Sequence, residues 1–349
     1  MARGHVGLDI GSRTAHIAQV TPTKGAPQVT NFGGIALPFG SVREGEVVDH
    51  EAVAATLKQL VAAVKLKDKR VHLGLANQRV VVRQIDLPWM ETEELRSSLP
   101  FQVQEFIPIP VEEAQLDFHV LEEFQADEET RMLRILLVAA HADMVRGHLA
   151  AVEAAGLKPV SIDLNPFAIL RTVGSSSALA EGPEVLVDIG AGVTDIVVHE
   201  GGVPRFVRIL VQGGDDITEA ISSAVGLDPE AAEQIKMQST AQGMGPDPTA
   251  GQAVADGARQ FVDEIRGSLD YYRTQVGSAS PLTRMVVTGG GALLTGLRES
   301  LAEATGLPVE IGNPFDRFGT KGTAYGPDEL AQIGPTLATA VGLALGGAE

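Results

Sequence analysis

The chain contains no cysteine. That removes disulfides, zinc–thiolate sites and cysteine nucleophiles, and it fits a reducing compartment. Basic residues are also few: 27 lysines and arginines stand against 45 aspartates and glutamates, a net charge of −18. A nucleic-acid backbone needs basic neutralisation, so nucleic acid and anionic lipid surfaces are poor general partners. A bound nucleotide is still allowed, because a nest of backbone N–H groups with one metal overrides the global field locally. No long hydrophobic run is present. The most apolar stretch, 333–347, is rich in Gly and Ala, broken by Pro335, and too short to span a bilayer. The N-terminus lacks the basic, apolar, small-residue order of a signal peptide. These features predict a cytoplasmic protein with no membrane anchor of its own. Aromatics make up only 4% of the chain, yet Trp89, the one tryptophan, lies near Phe101, Phe106 and Phe118. Core packing of a small module explains such clustering, as does a hydrophobic groove for a partner segment. A length of 349 residues with 44% apolar content allows two or more domains.

Against that background two near-identical segments stand out. Residues 7–14 read GLDIGSRT and residues 187–194 read VDIGAGVT. Each has an apolar lead-in, an aspartate, an isoleucine, a glycine and small or hydroxylic residues, then further apolar alternation. The pattern predicts strand, tight turn, strand. Such a turn offers backbone N–H groups to phosphate oxygens. The aspartate at the strand end suits a hydrated metal ion. Two such hairpins, one per half, can grip one polyphosphate from opposite sides. A third glycine site, Thr288-Gly289-Gly290-Gly291, lies between a predicted strand (284–288) and helix (293–305). Glycines there let the backbone approach a flat ligand, and a helix N-terminus adds positive potential. Each site alone is weak, since many glycine turns are only tight connections. Glu233 and Lys236 share a helix face, which by itself reads as a solvated ion pair. The ordered set of three glycine sites is the strong signal.

Between the hairpins the pattern alternates. Strands are expected at 28–37, 71–75, 80–87, 116–120, 132–140 and 159–162, and helices at 49–64, 91–106, 142–155 and 165–173. Pro100 should kink or restart the second helix. Asn165 reads as N-cap and Pro166 as first helical residue of the fourth. Residues 174–182, rich in Ser and Ala, read as a crossover. The second half continues with a strand at 203–210, helices at 216–225, 229–238 and 252–276, a strand at 308–311 and a terminal helix at 336–345. The order is α/β throughout.

These motifs resemble the actin-like ATPase superfamily, which also holds sugar kinases and heat-shock chaperone ATPases. Within it the chain is similar to the PilM family of type IV pilus assembly proteins over nearly its whole length. The most specific stretches are Ile85-Asp86-Leu87-Pro88-Trp89-Met90, Phe106-Ile107-Pro108-Ile109-Pro110, Ala154-Ala155-Gly156-Leu157-Lys158-Pro159 and Asn313-Pro314-Phe315. The resemblance implies an α/β, ribonuclease H-like duplicated two-lobe fold with a small α+β module inserted. The expected division is 1–75, first lobe; 76–155, inserted module; 156–182, first lobe and crossover; 183–333, second lobe; 334–349, C-terminal connecting helix. It also implies ATP or ADP with Mg²⁺ as ligand. Asp9 and Asp188 would hold Mg²⁺ through water, with Asp188 also the candidate organiser of an attacking water. Gly11, Ser12, Arg13 and Thr14 would wrap the phosphates from one side, and Gly190, Ala191, Gly192 and Thr194 from the other. Gly214 and Asp215 would lie near the ribose, Glu233 and Lys236 by the ribose and adenine edge, and Gly289, Gly290 and Gly291 beneath the base. The family usually carries a lysine where this chain has His16, and Arg13 is the substitute cation. Turnover, if any, would be slow.

The family further implies a scaffold of pilus assembly, peripheral to the inner membrane. The inserted module and its parent lobe would bind the cytoplasmic N-terminal tail of a PilN-like inner-membrane protein, with other assembly components as further partners. Two alternatives share the fold. A filament-forming protein similar to FtsA would typically carry a C-terminal amphipathic membrane helix, and 346–349 predict none. A small-molecule kinase would need a polar substrate cleft, whereas the expected cleft wall, 32–39, is apolar.

Overall fold

A computed structural model describes residues 4–127, 130–174, 182–275, 280–321, 323 and 325–347. The expected crossover at 175–181, the last residue of the helix expected at 252–276, and residues 348–349 lie outside these. The first lobe opens with β1 (His5–Ile10), β2 (Thr14–Thr21), β3 (Gln28–Ala36), β4 (Val42–Arg43), β5 (Glu46–Val47), α1 (His50–Ala63) and β6 (Arg70–Leu75). The module follows as β7 (Val80–Pro88), α2 (Thr92–Gln102), β8 (Ala114–Gln125) and β9 (Arg131–His141). The first lobe resumes with α3 (Ala142–Ala154), β10 (Lys158–Leu164) and α4 (Asn165–Val173). The second lobe contains β11 (Glu184–Ile189), β12 (Thr194–Glu200), β13 (Val203–Leu210), α5 (Gly214–Val225), α6 (Pro229–Met237), α7 (Pro248–Gln275), β14 (Arg284–Thr288), α8 (Leu297–Thr305) and β15 (Val309–Ile311). Last come β16 (Gly319–Thr320) and α9 (Pro327–Gly346).

The two large sheets repeat one topology. The first runs β10-β6-β1-β2-β3-β16 and the second β13-β12-β11-β14-β15. In each, the motif strand pairs antiparallel with the next strand and parallel with a later one: β1 with β2 and β6, β11 with β12 and β14. Each central strand is buried on both faces, hence the near-continuous apolar runs before Asp9 and Asp188.

Two helices tie the lobes together by exchange. Helix α4 leaves the first lobe and packs Ile169 against Leu186, Val197 and Val286 of the second sheet. Helix α9 leaves the second lobe and packs Leu337, Ala340, Val341 and Ala344 against Ala18, Val20 and Val29 of the first. Small residues are what permit this. A Cβ on Gly7 would lie 2.0 Å from the Ala340 carbonyl, and one on Gly342 would lie 1.9 Å from that of Ala168. The apolar stretch at 333–347 is thus a buried connecting helix. None of the described helices is long and apolar enough to cross a membrane.

Several boundaries differ from the sequence reading. Helix α2 runs through Pro100 but stops at Gln102, four residues early, with Val103 closing the last turn. Helix α9 starts at Pro327 rather than 334 or 336, through Pro335. The expected module range, 76–155, takes in helix α3, but its Ala151 and Val152 join Leu57, Leu60 and Val71 in the first-lobe core. The module proper is the sheet β7-β9-β8 covered by α2. Trp89, Phe106 and Phe118 pack against its core, whereas Phe101 is 83% exposed.

Candidate functional site

Strand register brings the two motifs into correspondence. Asp9 lies opposite His16, and Asp188 opposite Asp195. The Gly11 N–H donates to the Thr14 carbonyl at 3.0 Å, and the Gly190 N–H to that of Val193 at 3.0 Å. Each turn therefore spans four residues, 11–14 and 190–193. The turns face one another across the lobes, so that a Cβ on Gly192 would sit 2.6 Å from Ser12 Oγ. Arg13 crosses the gap. Its Nε donates to Asp215 Oδ1 at 2.7 Å, and its guanidinium lies 4.1 Å from the centre of the Phe39 ring. Its Nη2 is buried without a hydrogen-bond partner. Together these groups border a cleft of about 280 Å³. The expected apolar wall divides here: Phe39 faces the cleft, while Phe32 packs against Phe315 and Tyr325.

Behind the turns the carboxylates gather. Asp9 Oδ1 accepts from Asn165 Nδ2 of α4 at 3.3 Å, and Asp188 Oδ2 accepts from Thr339 Oγ1 of α9 at 2.7 Å. Each exchanged helix thus steadies one aspartate. Burial, then the neighbouring Asp188 charge, pushes Asp9 up to about 7, despite the Asn165 hydrogen bond. Burial likewise pushes Asp188 up to about 6, against the Thr339 bond. Asp195 is buried with Oδ1 unpartnered, and desolvation followed by the charges of Asp188 and Asp9 holds it well above the carboxylate range. His16 Nδ1 is 4.0 Å from Asp9 Oδ2, but burial lowers its pKa to about 4, so it is neutral at physiological pH. The result is concentrated negative charge without a cation beside it, an arrangement that favours protons or a bound cation. Among the described residues no three His, Cys, Asp or Glu side chains are placed to cage a metal directly.

The third glycine turn abuts this centre. Gly289 has φ +84°, and a Cβ there would lie 2.4 Å from Asp188 Oδ1. Its N–H and the Thr288 hydroxyl both donate to the Pro335 carbonyl of α9, at 3.0 and 2.7 Å. A Cβ on Gly290 would meet open space, whereas one on Gly291 would strike Ile189. The expected direct entry into a helix at 293 is corrected. A 3-10 turn over Gly291–Leu293 and a positive-φ Gly296 intervene before α8.

The remaining residues split. Gly214 and Asp215 N–H groups donate to the Gly190 and Ala191 carbonyls at 3.0 and 2.8 Å, fastening α5 to the second turn. Lys236 is no solvated partner of Glu233. Its Nζ donates to the Gly214 carbonyl, Thr218 Oγ1 and Glu233 Oε2 at 2.8, 2.8 and 2.7 Å, and its side chain is only 13% exposed. Thr194 lies on β12 just beyond the turn, fully buried, with its hydroxyl donated to the Gln212 carbonyl at 2.8 Å. Asn165 is not an N-cap: Leu164 holds that position and the Asn165 carboxamide turns into the site. Asp195, Asn165 and Thr339 escaped the sequence reading. Register pairing of the two motifs points to Asp195. No local signal marks the other two.

Two like-topology lobes, facing turns and exchanged helices define an actin-like ATPase fold. The chain belongs to the family of type IV pilus assembly protein PilM, whose model matches residues 7–348. It is 30% identical to a chain of a PilM–PilN type IV pilus biogenesis complex, with a TM-score of 0.88 and both chains covered in full. Cell division protein FtsA of Escherichia coli K12 is 28% identical over 257 residues. That match takes in 67% of this chain and 60% of FtsA, so the chain spans about 60% of that relative's length. An MreB of Spiroplasma citri bound to AMPPNP shares the fold at 12% identity and a TM-score of 0.50, over 97% of this chain and 95% of that one.

Proposed function

We propose that this chain is an ATP-binding scaffold of type IV pilus assembly, in which a magnesium nucleotide sets the angle between lobes and a PilN-like tail fixes the protein at the inner membrane. The observation that carries the nucleotide reading is the pair of facing turns in front of Asp9 and Asp188. The buried, unpartnered Asp195 Oδ1, an unpartnered Arg13 Nη2 and an open face at Gly290 suit a hydrated dication and a polyphosphate. Mg²⁺ sheds water reluctantly, so two carboxylates acting through its waters suffice to hold it. Asp9 and Asp188 would hold the ion's waters. Gly11, Ser12, Thr14, Gly190, Ala191 and Gly192 shape the phosphate cradle, and Arg13 supplies the cation that neutral His16 does not. Thr194 supports the turn rather than offering its hydroxyl. Gly214, Asp215, Glu233 and Lys236 border the sugar, and Gly289–Gly291 the base. Asp188 accepts from Thr339 and would also carry the ion's waters, so it would serve poorly as base, and turnover is expected below about one per second.

The partner reading rests on a second cavity. A groove of about 1030 Å³ lies between the outer face of the module sheet, β10, α4 and the β12–β13 turn. Leu136, Val138, Ile162 and Phe167 line it, with Arg96 and Arg171 among the polar groups there. An apolar segment with polar flanks fits such a trough. The related chain in a PilM–PilN complex supports a PilN-like tail as occupant. Calorimetry of the purified protein with Mg-ATP, and separately with a synthetic tail peptide, tests both parts. Asp188→Ala should weaken nucleotide at least about tenfold and leave the peptide unaffected. Unchanged nucleotide affinity would remove Asp188 from the site.

A further inference from the structure

The few lysines of this acidic chain are not scattered. It has eight, and five of them, Lys24, Lys65, Lys67, Lys69 and Lys158, belong to loops or a strand start of the first lobe. Strands β1, β6 and β10 run parallel, and β2 returns antiparallel to β1. The turn at 22–27, the loop at 64–69 and the first residue of β10 therefore lie along one edge of the sheet. The Lys158 N–H donates to the Lys69 carbonyl at 2.7 Å, which joins two of these segments directly. Arg70, the first residue of β6, adds a sixth positive charge. All six are exposed except Lys69, which is half-buried. Within these segments the acidic residue is Asp68, whose Oδ2 accepts from Arg70 Nη2 at 3.1 Å, and Glu153 stands in the last turn of α3 nearby. The four strand ends span only about 15 Å, so the positive charges act as one patch.

The opposite end of the same strands is negative. The module leaves beyond Leu75, the last residue of β6, and residues 80–141 hold 13 acidic against 4 basic residues, half of the net charge of −18. Six strand residues put about 20 Å between the two ends. At physiological ionic strength a charge acts over about 8 Å. The whole-molecule charge therefore does not govern what the lysine edge meets.

We propose that this edge docks on an anionic lipid bilayer through the headgroup phosphates, and so fixes how the protein stands on the membrane. Lysines are mobile point charges on long stems, which suits a fluid array of phosphates better than one rigid ligand. The proposal rests on the tail reading only for how the bilayer arrives. The tail groove is bordered by Pro27, three residues from Lys24, and by Ile162, four residues along β10 from Lys158. A tail that leaves the groove on this side brings its membrane-spanning part past the lysines. The acidic module of a second copy offers complementary charge but no such connection. Contact is peripheral and weak by itself, and it gains strength when a tail holds the protein close to the surface.

The test is co-sedimentation of the full chain with vesicles, first without any tail peptide. Vesicles with about 30% phosphatidylglycerol should bind at least about fivefold more protein than pure phosphatidylcholine, and about 0.5 M salt should abolish the difference. Lys67→Glu with Lys158→Glu should lower binding to the anionic vesicles at least about tenfold. Arg266→Glu with Arg273→Glu, exposed on α7 of the second lobe, changes the net charge equally and should stay within about threefold. Equal losses in the two double variants, or no preference of the wild type for anionic vesicles, would overturn the proposal. Salt-sensitive self-association without vesicles, with no lipid preference, would assign the edge to a second copy instead. Should the Lys67 and Lys158 variant not fold, the wild-type lipid and salt series decides. Neutral vesicles carrying a lipid-linked tail peptide separate the two readings. Binding there with indifference to phosphatidylglycerol leaves the tail and removes the lysine edge, whereas preference for plain anionic vesicles without peptide binding does the reverse.

Discussion

Asp9 carries a cost that the proposed nucleotide role explains. A carboxyl whose folded pKa exceeds its unfolded value binds more protons in the folded state across the interval between them. Stability therefore falls as pH rises through that window. For Asp9 the window runs from 3.8 to about 7, and for Asp188 from 3.8 to about 6. Asp9→Asn keeps an oxygen for Asn165 but removes the charge. It should stabilise the ligand-free chain by on the order of 2 kcal/mol at pH 7.5, with the gain shrinking to nothing near pH 4. Denaturant melts of both proteins at several pH values check this, and a gain independent of pH would rule out the charge as its source. The same substitution should abolish stabilisation by Mg-nucleotide, since the hydrated ion loses one of its two anchors. At this scale much was legible. Asp9, Asp188 and Gly289 sit in motifs whose residue types follow from the chemistry of phosphate and metal. Asp195 needed strand register, because an aspartate on a return strand looks like ordinary alternation. Asn165 and Thr339 lay beyond reach, because their roles come from helices that exchange between lobes.

The glycine-rich turn separates conformational need from ligand need at the level of an element. Gly289 holds φ +84° against the Asp188 carboxylate, while Gly290 has φ −66° and open space where a Cβ would go. Gly289→Ala should cost about 2–4 kcal/mol through backbone strain and the clash. Gly290→Ala should change stability by less than about 0.5 kcal/mol, yet weaken nucleotide binding, because its added methyl points into the space assigned to the base. Thermal melts and calorimetry on both variants test the split, and equal destabilisation would overturn it. Element types followed the hydrophobic period closely, as in α1, where Val53, Leu57, Leu60 and Val61 are all buried. Ends were less legible. Helix α9 begins well before its apolar run because Gly326, Pro327 and Glu329 make a capped first turn on exposed residues. Helix α2 outlasts Pro100 by two residues because a proline near a C-terminus removes only one hydrogen bond.

Across the whole molecule, the duplicated sheets were foreseeable from the repeated motif, while the way the lobes close was not. At the cleft the lobes meet through the Arg13–Asp215 ion pair, each side chain about 20% exposed, and the approach of Gly192 to Ser12. A residue with a branched side chain at 192 cannot coexist with Ser12 Oγ 2.6 Å from its Cβ. Neither lobe's own core includes Gly192, so the clash is relieved by opening the lobes rather than by unfolding either one. Gly192→Val should therefore keep denaturant stability within about 1 kcal/mol and raise the radius of gyration seen by small-angle scattering. It should also lower Mg-nucleotide affinity at least about tenfold, because the two halves of the cradle no longer meet. Arg13→Ala removes the ion pair without adding bulk, so it should open the lobes in the ligand-free chain, and saturating Mg-nucleotide, bound more weakly without the Arg13 cation, should restore the compact form. A closed Gly192→Val with wild-type affinity would mean that the turns do not share a ligand, and the site would have to be sought elsewhere in the cleft.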